Sequence, residues 1–107
     1  MHITAILGDI TEDKLVIDLP RAEKLSIYGH DEDYIKTDLI ADDEINFTRE
    51  ANKIELSFDE NIGGSITIPN KLIETLKINI PGRVKLINVK TKDILIDRAM
   101  RIIIENQ

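Results

Sequence analysis

The sequence predicts an all-β fold. Three observations carry that expectation: apolar residues at every second position, chain breakers at near-constant spacing, and an apolar alphabet dominated by isoleucine. Isoleucine fills 21 of the 107 positions, against two Phe, two Tyr and no Trp. Branching at Cβ restricts χ1 and packs well on a pleated surface, so such a core favours strands.

Leu15, Ile17 and Leu19 occupy alternate positions around Val16 and Asp18. Period two places one set of side chains on a single face of a strand. The same pattern returns at Leu25 and Ile27; at Ile35, Thr37 and Leu39; at Ile45 and Phe47; at Ile54, Leu56 and Phe58; and at Ile66 and Ile68. It continues at Leu76, Ile78 and Ile80; Val84 and Leu86; Ile94 and Ile96; and Ile102 and Ile104. Pro20, Gly29, Asp42-Asp43, Asn52, Gly63-Gly64, Pro81-Gly82 and Lys92-Asp93 separate these runs. Strand centres near Ile17, Ile27, Thr37, Phe47, Leu56, Thr67, Ile78, Leu86, Leu95 and Ile103 recur about every ten residues, the spacing of sandwiches, barrels and solenoids. The expected architecture is a single-domain β-roll or β-solenoid of about ten short strands spanning residues 1–107, with a two-sheet β-sandwich as the alternative. After Pro69, residues 70–76 read either as one helical turn with Asn70 as N-cap or as an irregular crossing between two layers. Ile87 breaks strict alternation and points to a bulge or turn.

Net charge is −6, which argues against non-specific nucleic-acid binding by the whole molecule. Residues 1–60 hold 16 acidic and 6 basic side chains, a balance of −10, while residues 61–107 hold 4 and 8, a balance of +4. If the two halves are also separated in space, the molecule is electrically polar. There is no cysteine, which excludes disulfides, thiolate chemistry and cysteine-held zinc. The first residues lack a basic start and a continuous apolar stretch, so they do not read as a signal peptide. No segment has the length of a membrane span. A cytoplasmic location is expected, or a surface or envelope location if a leader is removed.

Several pieces resemble a known family. They are Lys24-Leu25-Ser26-Ile27-Tyr28-Gly29 with Asp31, Asp33 and Ile35; Ile66-Thr67-Ile68-Pro69; Leu76-Lys77-Ile78; Gly82-Arg83-Val84-Lys85-Leu86; Asn88-Val89; and Asp93-Ile94-Leu95-Ile96. On these, residues 15–105 resemble the putative-adhesin, head-GIN-like β-repeat family. That resemblance implies stacked strands in a roll or solenoid and no shared catalytic residue set. A shorter stretch, Gly64-Ser65-Ile66-Thr67-Ile68-Pro69 with Leu72, Leu76, Gly82, Val84 and Leu86, is similar to the swapped-hairpin DNA-binding domain of transition-state regulators and antitoxins. It implies a DNA-binding regulator acting through Lys71, Lys77, Arg83, Lys85, Lys90, Lys92, Arg98 and Arg101, whose phosphate contacts would be salt-sensitive.

The acidic runs Asp31-Glu32-Asp33 and Asp42-Asp43-Glu44 lie about one strand repeat apart and offer oxygen ligands of the kind calcium takes, but acidic turn residues ordinarily solvate loops. No cofactor or metal is expected. His2 falls at the chain end and His30 in a turn beside Gly29, and Ser26, Ser57 and Ser65 lie in strand-like segments. Nothing local assembles a Ser-His-Asp arrangement, and catalysis is not expected. A polysaccharide site would want aromatic platforms, and the chain has only Tyr28, Tyr34, Phe47 and Phe58.

The expected function is therefore a non-enzymatic structural or interaction module that self-associates as a homo-oligomer through exposed strand edges and unlike-charged halves. Its candidate interface is the last strand: Arg101, Ile102, Ile103 and Ile104. Three consecutive isoleucines put apolar side chains on both faces, and an unpaired edge needs a cap or a partner. The alternative is a DNA-binding transcriptional regulator or antitoxin-like module using the basic residues of 61–107.

Overall fold

The computed structural model describes residues 2–40, 47–58 and 63–107. Its strands are β1 (His2–Leu7), β2 (Lys14–Asp18), β3 (Lys24–His30), β4 (Ile35–Ile40), β5 (Phe47–Glu50), β6 (Lys53–Ser57), β7 (Gly63–Pro69), β8 (Thr75–Asn79), β9 (Arg83–Ile87), β10 (Asp93–Asp97) and β11 (Arg101–Glu105). Each of the ten expected centres falls in a strand of its own, β2 to β11. The additional strand is β1, and His2 begins it.

The strands form two mixed sheets, one ordered β1-β4-β7-β3-β9-β11 and the other β10-β8-β2-β6-β5. This sandwich-like arrangement is the architecture expected as the alternative. Within it, the pairs β6/β7, β2/β3, β8/β9 and β10/β11 each pass from one sheet to the other, and they stack in that order with parallel pairing. Strands β1, β4 and β5 pair antiparallel and finish the stack at the β6/β7 end.

Period-two alternation accounts for the core. Ile17 lies in register with Leu56 and Ile78, and Ile27 with Ile66 and Leu86; all six are buried. Thr37 belongs to the same inward set, between Ile35 and Leu39, but its buried hydroxyl has no hydrogen-bond partner. An unsatisfied buried hydroxyl costs about 1–3 kcal/mol. Thr37→Val keeps the shape and removes that group, so a stabilisation of about 1 kcal/mol is expected in urea denaturation. A destabilised variant would show that the hydroxyl is satisfied in solution.

Stack order departs from chain order, and residues 70–74 resolve the difference. From β7 the chain must pass the β2/β3 layer to enter β8. The segment makes the crossing and, within it, one uncontinued helical turn, since the Ile73 amide bonds back four residues. The Leu72 and Ile73 amides both donate to the Pro69 carbonyl (3.2 and 3.1 Å), closing a tight turn, and Ile73 is buried. Asn70 does not act as a helix N-cap. Its amide N–H donates to the His30 carbonyl at 3.0 Å, its Nδ2 donates to the Asn88 carbonyl at 2.9 Å, and its Oδ1 accepts from the Lys90 amide at 2.8 Å. The β9 ladder is unbroken through Ile87, which is buried; the turn comes one residue later, at Asn88 with φ 55°. Asn88 Oδ1 accepts from the Gln107 amide at 2.6 Å, tying the next layer down.

At the opposite corners, Arg98 Nε donates to Asn79 Oδ1 and Asn79 Nδ2 donates to Asp18 Oδ1, each at 2.9 Å, linking three layers. Between β5 and β6, Ala51 and Asn52 have φ of 53° and 61°, the two-residue hairpin geometry that matches strand twist.

Candidate functional site: the open end of the stack

The two ends of the stack differ. At the β6/β7 end the interior is covered. Phe47 packs half-buried against the core, and Ile10, in the link between β1 and β2, is buried. Arg49, in register with Ile54, clamps that link. Its Nε and Nη2 donate to Glu12 Oε2 and Oε1 at 2.6 and 2.7 Å, and Nη2 and Nη1 reach the carbonyls of Asp9 (2.8 Å) and Gly8 (3.3 Å).

Hydrogen bonds from this guanidinium hold the Glu12 carboxyl down from 4.5 to about 2, and the carboxylate in turn raises Arg49. A carboxyl whose folded pKa is depressed stabilises the fold above its unfolded value and loses that contribution as pH falls through the folded one. Glu12→Gln is therefore expected to melt below the parent at neutral pH, with the gap closing between about 4.5 and about 2. Melting curves across that range check it, and a gap independent of pH would contradict the clamp.

The other end is open. Among the described residues, strand β10 pairs only with β8, and β11 only with β9. Ile102 and Ile104 lie in register with the buried Val84 and Leu86, so they continue the inward-facing columns. They are nevertheless 46% and 67% exposed, because β11 is the last strand of its sheet among the described residues. Leu95 and Met100 add to the exposed apolar surface of the last coil. Ile103 takes the outer face, half-buried, and Arg101 is exposed at the strand's start. The candidate interface residues thus share one unpaired edge. Glu105 ends the same strand, and its Oε1 meets Lys85 Nζ at 3.4 Å on the outer face.

The other sequence candidates do not converge on chemistry. Among the described residues, no three His, Asp or Glu side chains are placed to share a metal ion. Asp31-Glu32-Asp33 forms the turn after β3, and the second acidic run, 42–44, lies outside the described residues. His30 donates through Nε2 to the Tyr34 carbonyl at 2.8 Å and stacks edge-on against the Tyr34 ring. His2 Nδ1 meets Asp38 Oδ1 at 3.3 Å above a groove that Ser26 and Ser65 also line, but neither serine hydroxyl is hydrogen-bonded to the imidazole. Residues 64–86, which carried the DNA-binding resemblance, are divided between β7 and β9 in one sheet and β8 in the other. Among the described residues, no helix is long and apolar enough to cross a membrane.

These elements define an all-β protein of two mixed sheets with one covered and one open end. No family model matches the chain, and no curated protein matches it. A solved structure described as a putative cell adhesion protein from Clostridium sporogenes superposes with a TM-score of 0.63 at 16% identity, over 98% of this chain. The chain spans 58% of that protein, and the likeness is one of fold.

Proposed function

We propose that the protein is a non-enzymatic interaction module that self-associates by pairing β11 with β11 of a second copy. The observation that carries this is the exposure of Ile102 and Ile104 on an unpaired edge, in register with buried columns. Antiparallel pairing about Ile103 sets Ile102 against Ile104 and Arg101 against Glu105 of the second copy, and the reverse, so the strand is complementary to itself. Strand β10 lacks this symmetry, since the same operation opposes Asp93 and Asp97. Exposed like charges cost tenths of a kcal/mol, whereas burying an isoleucine contributes about 1.5–3 kcal/mol, so β11 decides the contact.

Among the described residues the charge asymmetry is also spatial: 2–40 and 47–58, with 11 acidic and 6 basic side chains, build β1 to β6, 70–107, with 4 and 8, build β8 to β11, and β7 between them carries no charged residue. That polarity favours head-to-tail contact, but the far end is already covered by Ile10 and the Arg49 clamp. The last coil, 93–107, holds three acidic and two basic residues, so two copies meet there with little net repulsion. The likeness to a putative cell adhesion protein supports an interaction role in general terms.

Light scattering tests the reading. A dimer mass that falls to monomer on dilution is expected, and Ile104→Asp should leave a monomer throughout. A wild-type chain that stays monomeric up to about 1 mM, where binding energy falls to about 4 kcal/mol, would overturn it.

A further inference from the structure

Lys24, Arg83 and Arg101 occupy one register position on the adjacent parallel strands β3, β9 and β11. Strands in a sheet lie about 4.8 Å apart, so three cationic side chains leave the outer face one above another. Like charges set opposite each other across a ladder are destabilising. Lys85, two residues along from Arg83, is matched by Glu105, but among the described residues none of the three aligned cations has an ion-pair partner.

Each of the three follows a corner of its coil; Arg83 and Arg101 border an open pocket of about 640 Å³ at these corners, and Lys24 lies beside it in the neighbouring outer-face groove. Arg21, Arg83 and Arg101 line the pocket together with Glu23, Pro81 and Met100, and the Met100 side chain is largely exposed. The corner amides are already used: Arg83 N–H donates to the Glu23 carbonyl and Met100 N–H to the Gly82 carbonyl. A ligand would therefore be held by side chains. Planar guanidinium groups match phosphate and carboxylate in a two-pronged fashion. The pocket volume is that of a small-molecule site, and the net charge of −6 opposes a long polyanion laid across the molecule.

We propose that this corner binds a small oxyanion carrying two or more anionic groups about 5 Å apart, matched to the strand spacing of the cation row. A single anion engages only one rung. The inference goes beyond self-association. Arg101 also faces Glu105 in the proposed dimer, so the test uses Arg83 and Lys24, which lie off the β11 edge.

Tripolyphosphate and citrate are titrated calorimetrically into the full chain at low salt, with inorganic phosphate as the single-group comparison. Saturable binding is expected for at least one of the two, about tenfold or more tighter than for inorganic phosphate, and which binds separates phosphate from carboxylate chemistry. Arg83→Gln should weaken it about tenfold and Lys24→Gln less, while Lys77→Gln, the same charge change on the other sheet, leaves it unchanged. Melting curves of the variants confirm that each is folded. The proposal is overturned by absence of saturable binding, by equal losses in the Arg83 and Lys77 variants, or by a gel shift in which duplex DNA binds more tightly than tripolyphosphate. The last outcome would assign the cation row to an extended nucleic-acid surface.

Discussion

Ile27→Ala is expected to cost about 2–5 kcal/mol, while Ile104→Ala, on the same inward face, costs less than about 1 kcal/mol. Ile27 is fully buried between Ile66 and Leu86, in the middle of the stack. Its truncation removes transfer energy and leaves a cavity that neighbouring ladders prevent from collapsing. Ile104 is the next residue but one along the same row, in register with Leu86, yet two-thirds of it meets solvent. Its truncation loses little that folding had gained. Urea denaturation at low protein concentration, where the chain is monomeric, measures both. Equal costs would mean that the end of the stack is covered within one chain, which would remove the physical motive for self-association.

Gly29→Ala is expected to cost about 2 kcal/mol or more. The chain crossing from β7 to β8 passes directly over Gly29. A Cβ there would strike the Asn88 carbonyl and lie 2.5 and 2.6 Å from the two polar atoms of the Asn70 amide. The carbonyl belongs to backbone held in the β9 turn, so relief requires giving up the Asn70–Asn88 and Asn70–Lys90 hydrogen bonds together. Gly63→Ala is the comparison, since its nearest neighbour would be the Lys24 carbonyl at 3.6 Å, and a cost under about 1 kcal/mol is expected there. Similar losses at both sites would show that the crossing does not depend on a bare backbone at Gly29.

Faces were more legible in the sequence than neighbours. Alternation at Ile17, Ile27, Leu39 and Leu56 assigns the inward side of each strand, and those residues are buried. Ile102 and Ile104 alternate in the same way as Val84 and Leu86, yet one pair is exposed and the other buried. The difference lies in whether a further strand follows, which a period of two does not encode. Strand β1 escaped notice because Ile6 sits on its outer face, which blurs the alternation of Ile3, Ala5 and Leu7. The Arg49–Glu12 clamp spans 37 positions and depends on β5 closing the end of the stack, which no local motif announces. Stack order was hidden for the same reason: β3 lies between β7 and β9, and the only local sign is a glycine, Gly29, where a crossing chain needs room. The candidate interface was legible as three consecutive isoleucines, but its self-complementarity required knowing that β11 is an edge.

The most direct measurement of that complementarity is the solution mass of charge-swapped chains. Arg101→Glu and Glu105→Arg each place like charges at both ends of the paired strands, and at tenths of a kcal/mol per exposed pair the account predicts a dimer dissociation constant raised several-fold for either one. Combined in one chain, the two substitutions restore opposite charges in the antiparallel register, and the dissociation constant of the parent should return. Single variants that dimerise as tightly as the parent, or a double variant no tighter than the single ones, would contradict pairing through β11.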